Sequence, residues 1–329
     1  MTNHTLTSVQ SRRRLLGAGA ATLALAAAGP LRAQQRVIRI VVPFGPGAVQ
    51  DTIARTFNNE LGQALGASVL VENRAGAGGT IGTAVVAKAP PDGNTLVLAA
   101  ASHTLAGHLY SKLPYDPIKD FTGVTYLGSA GYAIAVPASL GVNTIADYVK
   151  LLKSKPGGYN YASAGNGSAT HMGMAYFLAK AGVEMQHVPF KSTGDAVNEV
   201  LAGRVHGVTG ALTALMGFRS DPRIKLLAYT GNTRSKFMPE LPTVAEAGVA
   251  GYKFDSWIGL LGPSGMPKAE VDRIQAAMVK VLAEPAVQER FVRLGTESTT
   301  MSPDDFNKLL RADWDHAAVL VKASGARIE

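Results

Sequence analysis

Three times along this chain a strand-like segment gives way to a glycine-rich loop and then to the first turn of a helix, and that repeated order restricts the fold to α/β. Val37-Ile38-Arg39-Ile40-Val41-Val42 is a β-branched run that Pro43 and Gly45 stop, and a helix over 49–65 follows with Ile53, Phe57, Leu61 and Leu65 on one face. Val69-Leu70-Val71-Glu72 leads through the loop 73–79 into a small-residue helix ending near Lys88, and Thr95–Ala99 reads as a third strand. A largely parallel sheet is the expectation.

After a long apolar, glycine-punctuated stretch from Val124 to Val136 the rhythm restarts. Helices are expected over 145–152, 170–181 and 194–202, with strand segments at 159–162, 187–190, 205–209 and 226–229. Lys253–Leu261 reads as extended, and helices over 268–284, 285–294 and 303–323 complete the chain. The two extended stretches flank the middle block, so the chain enters a second domain once and returns once. The expected division is a signal over 1–33, a discontinuous lobe of 34–132 with 256–329, and a second lobe of 133–255.

The N-terminus carries Ser11-Arg12-Arg13-Arg14, an Ala-rich apolar stretch to Ala28, and Gly29-Pro30-Leu31-Arg32-Ala33. Basic, then apolar, then a small residue is the layout of a bacterial export signal, and the adjacent arginines point to the twin-arginine route with cleavage after Ala33. The apolar run is short for a bilayer span, and no stop-transfer pattern follows to favour a retained anchor. Cleavage there would remove four arginines and no acid, taking the formal charge from +8 to +4. The remaining Lys and Arg are scattered, which argues against nucleic acid as a partner and suits small anions. None of the 329 residues is cysteine, so thiol nucleophiles and disulfides are excluded and packed cores must carry the stability.

The glycine-rich loops are Pro43–Ala48, Arg74–Gly79 and Ala162–Thr170. Glycine lets main chain approach a ligand, and a helix start offers unpaired N–H groups at the positive end of the helix dipole. Together they would hold an anion with amides and hydroxyls. No Gly-Lys pair forms a phosphate loop, and Gly76-Ala77-Gly78-Gly79-Thr80-Ile81 lacks the dinucleotide spacing. Ser163 and Ser168 stand in no Gly-x-Ser-x-Gly elbow, and His103, His108, His171, His187 and His206 form no metal motif. No catalytic, metal or cofactor site is therefore expected. His171 is a ligand-contact candidate beside Thr170, and Lys191 could bring an ammonium to the same face. Asp195 reads as a helix cap and Trp257 as a packing aromatic of the return segment.

The ordered stretches Val42-Pro43-Phe44 with Pro46-Gly47 and Asp51, Val71-Glu72-Asn73-Arg74 with Gly76–Gly79, Tyr115-Asp116-Pro117 with Lys119-Asp120-Phe121, Tyr161–Gly165 with Gly167-Ser168, His187–Lys191 and Leu241–Gly248 run nearly the whole exported length. In these the chain resembles the extracytoplasmic substrate-binding proteins of tripartite tricarboxylate transporters, the Bug family. The resemblance implies a type II periplasmic binding fold, two α/β lobes with a ligand cleft between them. It also implies a ligand carboxylate held by Ser163, Ala164 and Thr170, with Phe44–Ala48 and Gly76–Gly78 reaching it partly through water. The candidate ligand-binding set is Phe44, Gly47, Ala48, Gly76, Ala77, Gly78, Ser102, His103, Ser163, Ala164, Gly165, Asn166, Thr170, His171, Lys191 and Gly210.

Two departures stand out from the family pattern. Ala48-Val49-Gln50 replace a glycine and hydroxyl residues before Asp51, and Gly210-Ala211 replace an Asp-Asn pair. Both remove polar groups expected to read the far end of the ligand, so a less polar or larger acid, aromatic or aliphatic, is expected. The expected protein is a monomeric periplasmic solute binder that delivers a small carboxylate to membrane permease subunits. A ligand-presenting subunit of a sensor kinase and a cleft hydrolase using Ser163 or Ser168 are the alternatives.

Overall fold

The computed structural model describes residues 36–324. The export signal read in residues 1–33 lies outside them. From Val37 on, the chain forms one unit that carries two sheets.

β1 (Val37–Val42) pairs in parallel with β2 (Ser68–Asn73) on one side and β3 (Thr95–Ala100) on the other. β4 (Phe121–Ala130), β10 (Ser256–Pro263) and β11 (Thr296–Ser298) extend this first sheet in the order β11-β4-β10-β3-β1-β2. The second sheet runs β7-β6-β8-β5-β9, from β5 (Tyr132–Pro137), β6 (Asn160–Ser163), β7 (Gln186–Pro189), β8 (Val208–Ala211) and β9 (Ile224–Tyr229). In the first sheet β10 runs against β3 and β4 and the edge strand β11 runs against β4, and in the second β5 runs against β8 and β9, so both sheets are mixed where a largely parallel one was expected. β5 and β10 enter from the crossings between sheets, and their direction is invisible to hydrophobic periodicity. β3, β5 and β10 are buried along their whole length, as strands covered by helices on both faces must be.

The stretch 124–136, read as one apolar run, is two strands in two different sheets. Gly131 makes the break: a Cβ there would lie 2.4 Å from the Tyr229 hydroxyl oxygen, so only glycine lets the chain cross while Tyr229 packs on it. The strand expected over 205–209 begins only at Val208.

α1 (Val49–Leu65) lies against β2 and against α8 (Lys268–Ala283). Its Ile53, Phe57 and Leu61 are fully buried. α2 (Thr80–Ala87) and α3 (Ser102–Leu109) follow β2 and β3. α4 (Ile145–Ser154), α5 (Ala169–Ala181), α6 (Thr193–Leu201) and the single turn α7 (Leu212–Leu215) surround the second sheet, and α9 (Pro285–Arg293) precedes β11. The last helix, α10 (Pro303–Ser324), packs on α3 and β4 and also on α5, so it touches elements that belong to both sheets. No helix of the described residues is long and apolar enough to cross a membrane.

Candidate functional site

Four helices begin at one small cavity between the two sheets. Phe44, Ala48, Val49 and Gln50 line it from the start of α1, Ser102 from α3, and Ala164, Ser168, Ala169 and Thr170 from α5. Thr193 of α6 and Tyr132 of β5 complete it. The parallel strands explain the convergence, because each delivers the helix that follows it to the same edge of its sheet. No side chain caps α1 or α3, so their first-turn amides keep their donors for the cavity, whereas Ser168 and Ser192 cap α5 and α6. Each helix start contributes a partial positive charge, and no Asp, Glu, Lys or Arg lines the cavity.

The loop between β6 and α5 is held by its own hydroxyls. The Ala164 N–H donates to Thr170 Oγ1 at 2.8 Å, and Ser168 Oγ lies 3.0 Å from the same oxygen. Thr170 accepts from that amide, and with Ser168 as the donor between the two hydroxyls its own hydrogen is left to offer a ligand oxygen. Burial drives His171 down to about 4, and burial together with its neighbour His171 drives His187 to about 3, so both rings are neutral at pH 7. Burial pushes the Tyr132 phenol up to about 12 against the opposing hydrogen bond with Ser256.

The first loop is shaped from behind by Asp51. Its Oδ2 accepts from the Gly47 N–H at 3.1 Å, and Oδ1 accepts from Arg55 Nε and Asn73 Nδ2, both at 3.0 Å. Asn73 Nδ2 also donates to the Phe44 carbonyl at 3.0 Å. Burial raises the Asp51 pKa, but the hydrogen bonds from Arg55, Gly47 and Asn73 outweigh it and hold the carboxyl below its ordinary value. A carboxylate depressed in the folded state stabilises the protein fully above its unfolded pKa, and that stabilisation is lost as pH falls through the folded value. Asp51→Asn is therefore expected to cost on the order of 2 kcal/mol at pH 7. In thermal melts from pH 7 down to pH 2 the gap between wild type and variant should close below about pH 4. A gap independent of pH would show that the ionised form does not matter.

Around the cavity the two halves touch. The Gly45 N–H donates to the Lys191 carbonyl at 3.2 Å, and the Tyr110 hydroxyl donates to the Asn166 carbonyl at 3.0 Å. Gly78 sits against that same carbonyl with φ +62°. Phe44 and Ala48 meet Ala164 in a small apolar cluster. The space between them is about 10 Å³, the room of a single water molecule.

Phe44, Ala48, Ser102, Ala164 and Thr170 of the candidate set thus line one cavity. Gly47, Gly76, Ala77, Gly78, Gly165 and Asn166 belong to the loops of its rim. Five others sit elsewhere. Ser163 is fully buried behind the loop, its hydroxyl 2.6 Å from His187 Nε2 and accepting from the Gly165 N–H at 3.1 Å. His187 itself is stacked between Tyr161 and His171. His171 turns its Nδ1 to the Gly167 N–H at 3.1 Å. His103 follows Ser102 by about 100° of helix rotation. That turns it into the first lobe's core, where Nε2 bonds the Pro117 carbonyl at 2.7 Å and the ring packs edge-on against Phe121. Lys191 exposes its side chain and offers only its carbonyl. Gly210 is buried in β8, where a Cβ would press on Leu215 at 3.0 Å. The cap of α6 is Ser192, which accepts from the Asp195 N–H at 3.1 Å; Asp195 is one turn in. Trp257 is core packing, its Nε1–H donating to Asp313 Oδ2 at 2.7 Å.

Sequence reading missed Val49, Gln50, Tyr132, Ser168, Ala169 and Thr193 as lining residues. Most of them share a legible signal, a place within the first turn of a helix that follows a strand. Among the described residues no three His, Asp or Glu side chains group to hold a metal.

Residues 53–326 match the family described as "Tripartite tricarboxylate transporter family receptor". A Rhodopseudomonas palustris protein solved with adipate superimposes with a TM-score of 0.85 at 30% identity, over 90% of this chain and all of that one. The periplasmic binding protein BugD gives 0.85 at 30% identity over 89% and 99%. MatC of Rhodopseudomonas palustris, solved with bound malate, gives 0.83 at 28% identity over 89% and 100%.

Proposed function

Because the chain belongs to the tripartite tricarboxylate transporter receptor family, we propose that it binds a small carboxylate in the periplasm and hands it to the membrane subunits of such a transporter. The observation that carries this reading is the convergence of four helix starts and the Ser102, Ser168, Thr170 and Thr193 hydroxyls on one cavity without a charged side chain. Such a site supplies donors and positive dipole to an anion. It supplies no carboxylate for an ammonium, since Asp51 is committed to Gly47, Arg55 and Asn73. Amino acids are therefore disfavoured against plain mono- or dicarboxylates, and Phe44, Ala48, Val49 and Ala169 suit an aliphatic chain next to the carboxyl group. The acids in the two related structures, adipate and malate, carry no amine. The proposed site consists of the lining residues with the Gly47, Gly76–Gly78 and Gly165-Asn166 rim.

The cavity admits a whole acid only if the two halves part and then close, so binding is a hinge motion at the crossings near Gly131 and Ser256 in which ligand contacts favour the closed arrangement. A thermal-shift screen against mono-, di-, tri- and aromatic carboxylates, with aspartate and glutamate included, tests the ligand class. A ligand at about a thousand times its Kd should add about 4 kcal/mol of stability and a clear rise in Tm. Stabilisation by aspartate or glutamate alone would overturn the proposed selectivity.

A further inference from the structure

On the second lobe, away from the cavity, an open groove of about 560 Å³ runs between α4, the end of α5 and the segment 247–250. Its floor is apolar, with Val149, Ala181 and Val249, and three lysines stand over it, Lys150, Lys153 and Lys180. All three lysines are exposed. Among the described residues no carboxylate forms an ion pair with any of them. Lys180 lies over the Tyr176 ring, and Asp147, on the same helix as the other two, is bonded to the Thr144 hydroxyl at 2.8 Å and feels the charge of Lys150 without pairing with it. Val149, Lys150 and Lys153 follow at helical spacing, so α4 offers one stripe of apolar surface edged by positive charge.

We infer that this groove is the docking face for an acidic amphipathic helix of the transporter's membrane subunits, a proposal that rests on the transporter reading above. Charge complementarity decides the occupant: apolar side chains of such a helix would cover the floor while its carboxylates meet the three ammonium groups. A small acid suits the place poorly, because no hydroxyl side chain lines the groove to orient one and its three cations are exposed. The position also has a mechanical sense. α5 starts at the cavity with Ala169 and Thr170 and ends at the groove with Lys180 and Ala181, about 15 Å further along one rigid helix. A partner held there touches the element that holds the ligand and leaves the first lobe free to swing.

The test uses proteoliposomes containing the membrane subunits of a tripartite tricarboxylate transporter from the same genome, the purified exported protein, and a radiolabelled acid chosen by the thermal-shift screen. The Lys150→Glu, Lys153→Glu, Lys180→Glu triple variant should keep its calorimetric Kd for the acid within about twofold and lose at least about tenfold in uptake. A photo-crosslinking residue in place of Val149 should join an acidic helix of a membrane subunit. Uptake by the triple variant equal to wild type overturns the docking face. Loss of wild-type pelleting with empty anionic vesicles in the same variant, with no crosslink, overturns the protein partner in favour of a lipid surface. Uptake absent with wild-type protein overturns the transporter reading itself, and the docking face with it.

Discussion

Gly78→Ala is expected to weaken ligand binding on the order of 100-fold, equivalent to about 2.7 kcal/mol, while leaving the protein folded. The effect is steric and acts only in the closed arrangement. A Cβ at Gly78 would lie 2.1 Å from the Asn166 carbonyl oxygen and 2.9 Å from the Tyr110 hydroxyl oxygen, far inside van der Waals contact. Asn166 belongs to the loop before α5 and Gly78 to the loop before α2, so the clash falls between the halves that must meet. If closure is what makes the site competent, lowering the closed fraction lowers apparent affinity in proportion. Backbone strain at φ +62° adds about 1 kcal/mol to the alanine variant in any arrangement. Gly66→Ala separates the two effects, since Gly66 also has φ +62° but nothing lies within 4 Å of its added Cβ. Calorimetric Kd and Tm on both variants read the difference: Gly66→Ala should lose Tm alone, and Gly78→Ala should lose affinity as well. Wild-type affinity in Gly78→Ala would mean that binding does not need this contact.

Thr170→Val should weaken binding by about 1.5–3 kcal/mol, roughly 10- to 150-fold. The substitution keeps the shape and removes the one hydroxyl that joins the Ala164 amide to Ser168 at the start of α5. It takes a donor from the ligand and leaves a buried amide without its acceptor. Thr170→Ser should recover most of the affinity, which a purely structural role for the methyl group would not allow. Ser163→Ala should act much less, through loop shape alone, because that hydroxyl is turned to His187 and Gly165 behind the site. An unchanged Kd in Thr170→Val would move the carboxylate elsewhere in the cavity.

The contrast between Ser163 and Thr170 illustrates how far the chain could be read in advance. Both are small hydroxyl residues of one glycine-rich loop, and nothing local distinguishes the one that faces the cavity. The turn from β6 into α5 decides it by directing Ser163 under the sheet edge and Thr170 into the first helical turn. Ser102 and His103 differ for the same reason, one residue of helix rotation apart.

Whatever a short window encodes was legible along the chain. The β-branched run Val37–Val42 ended by Pro43, the buried face Ile53, Phe57 and Leu61 of α1, and the glycine loops before α1, α2 and α5 all follow from local geometry and hydrophobic spacing. The ordered motifs also pointed to the family that residues 53–326 match. The remainder depends on contacts between distant segments. The split of 124–136 between two sheets follows from Tyr229 packing on Gly131, nearly a hundred residues away in the chain. The reversed direction of β5 and β10 follows from the crossings. The presence of Gln50, Tyr132 and Thr193 around one cavity follows from strand order, which brings separate helix starts together. Local windows carry propensity and periodicity, whereas a site assembled from four helix starts exists only once the sheets have set their order.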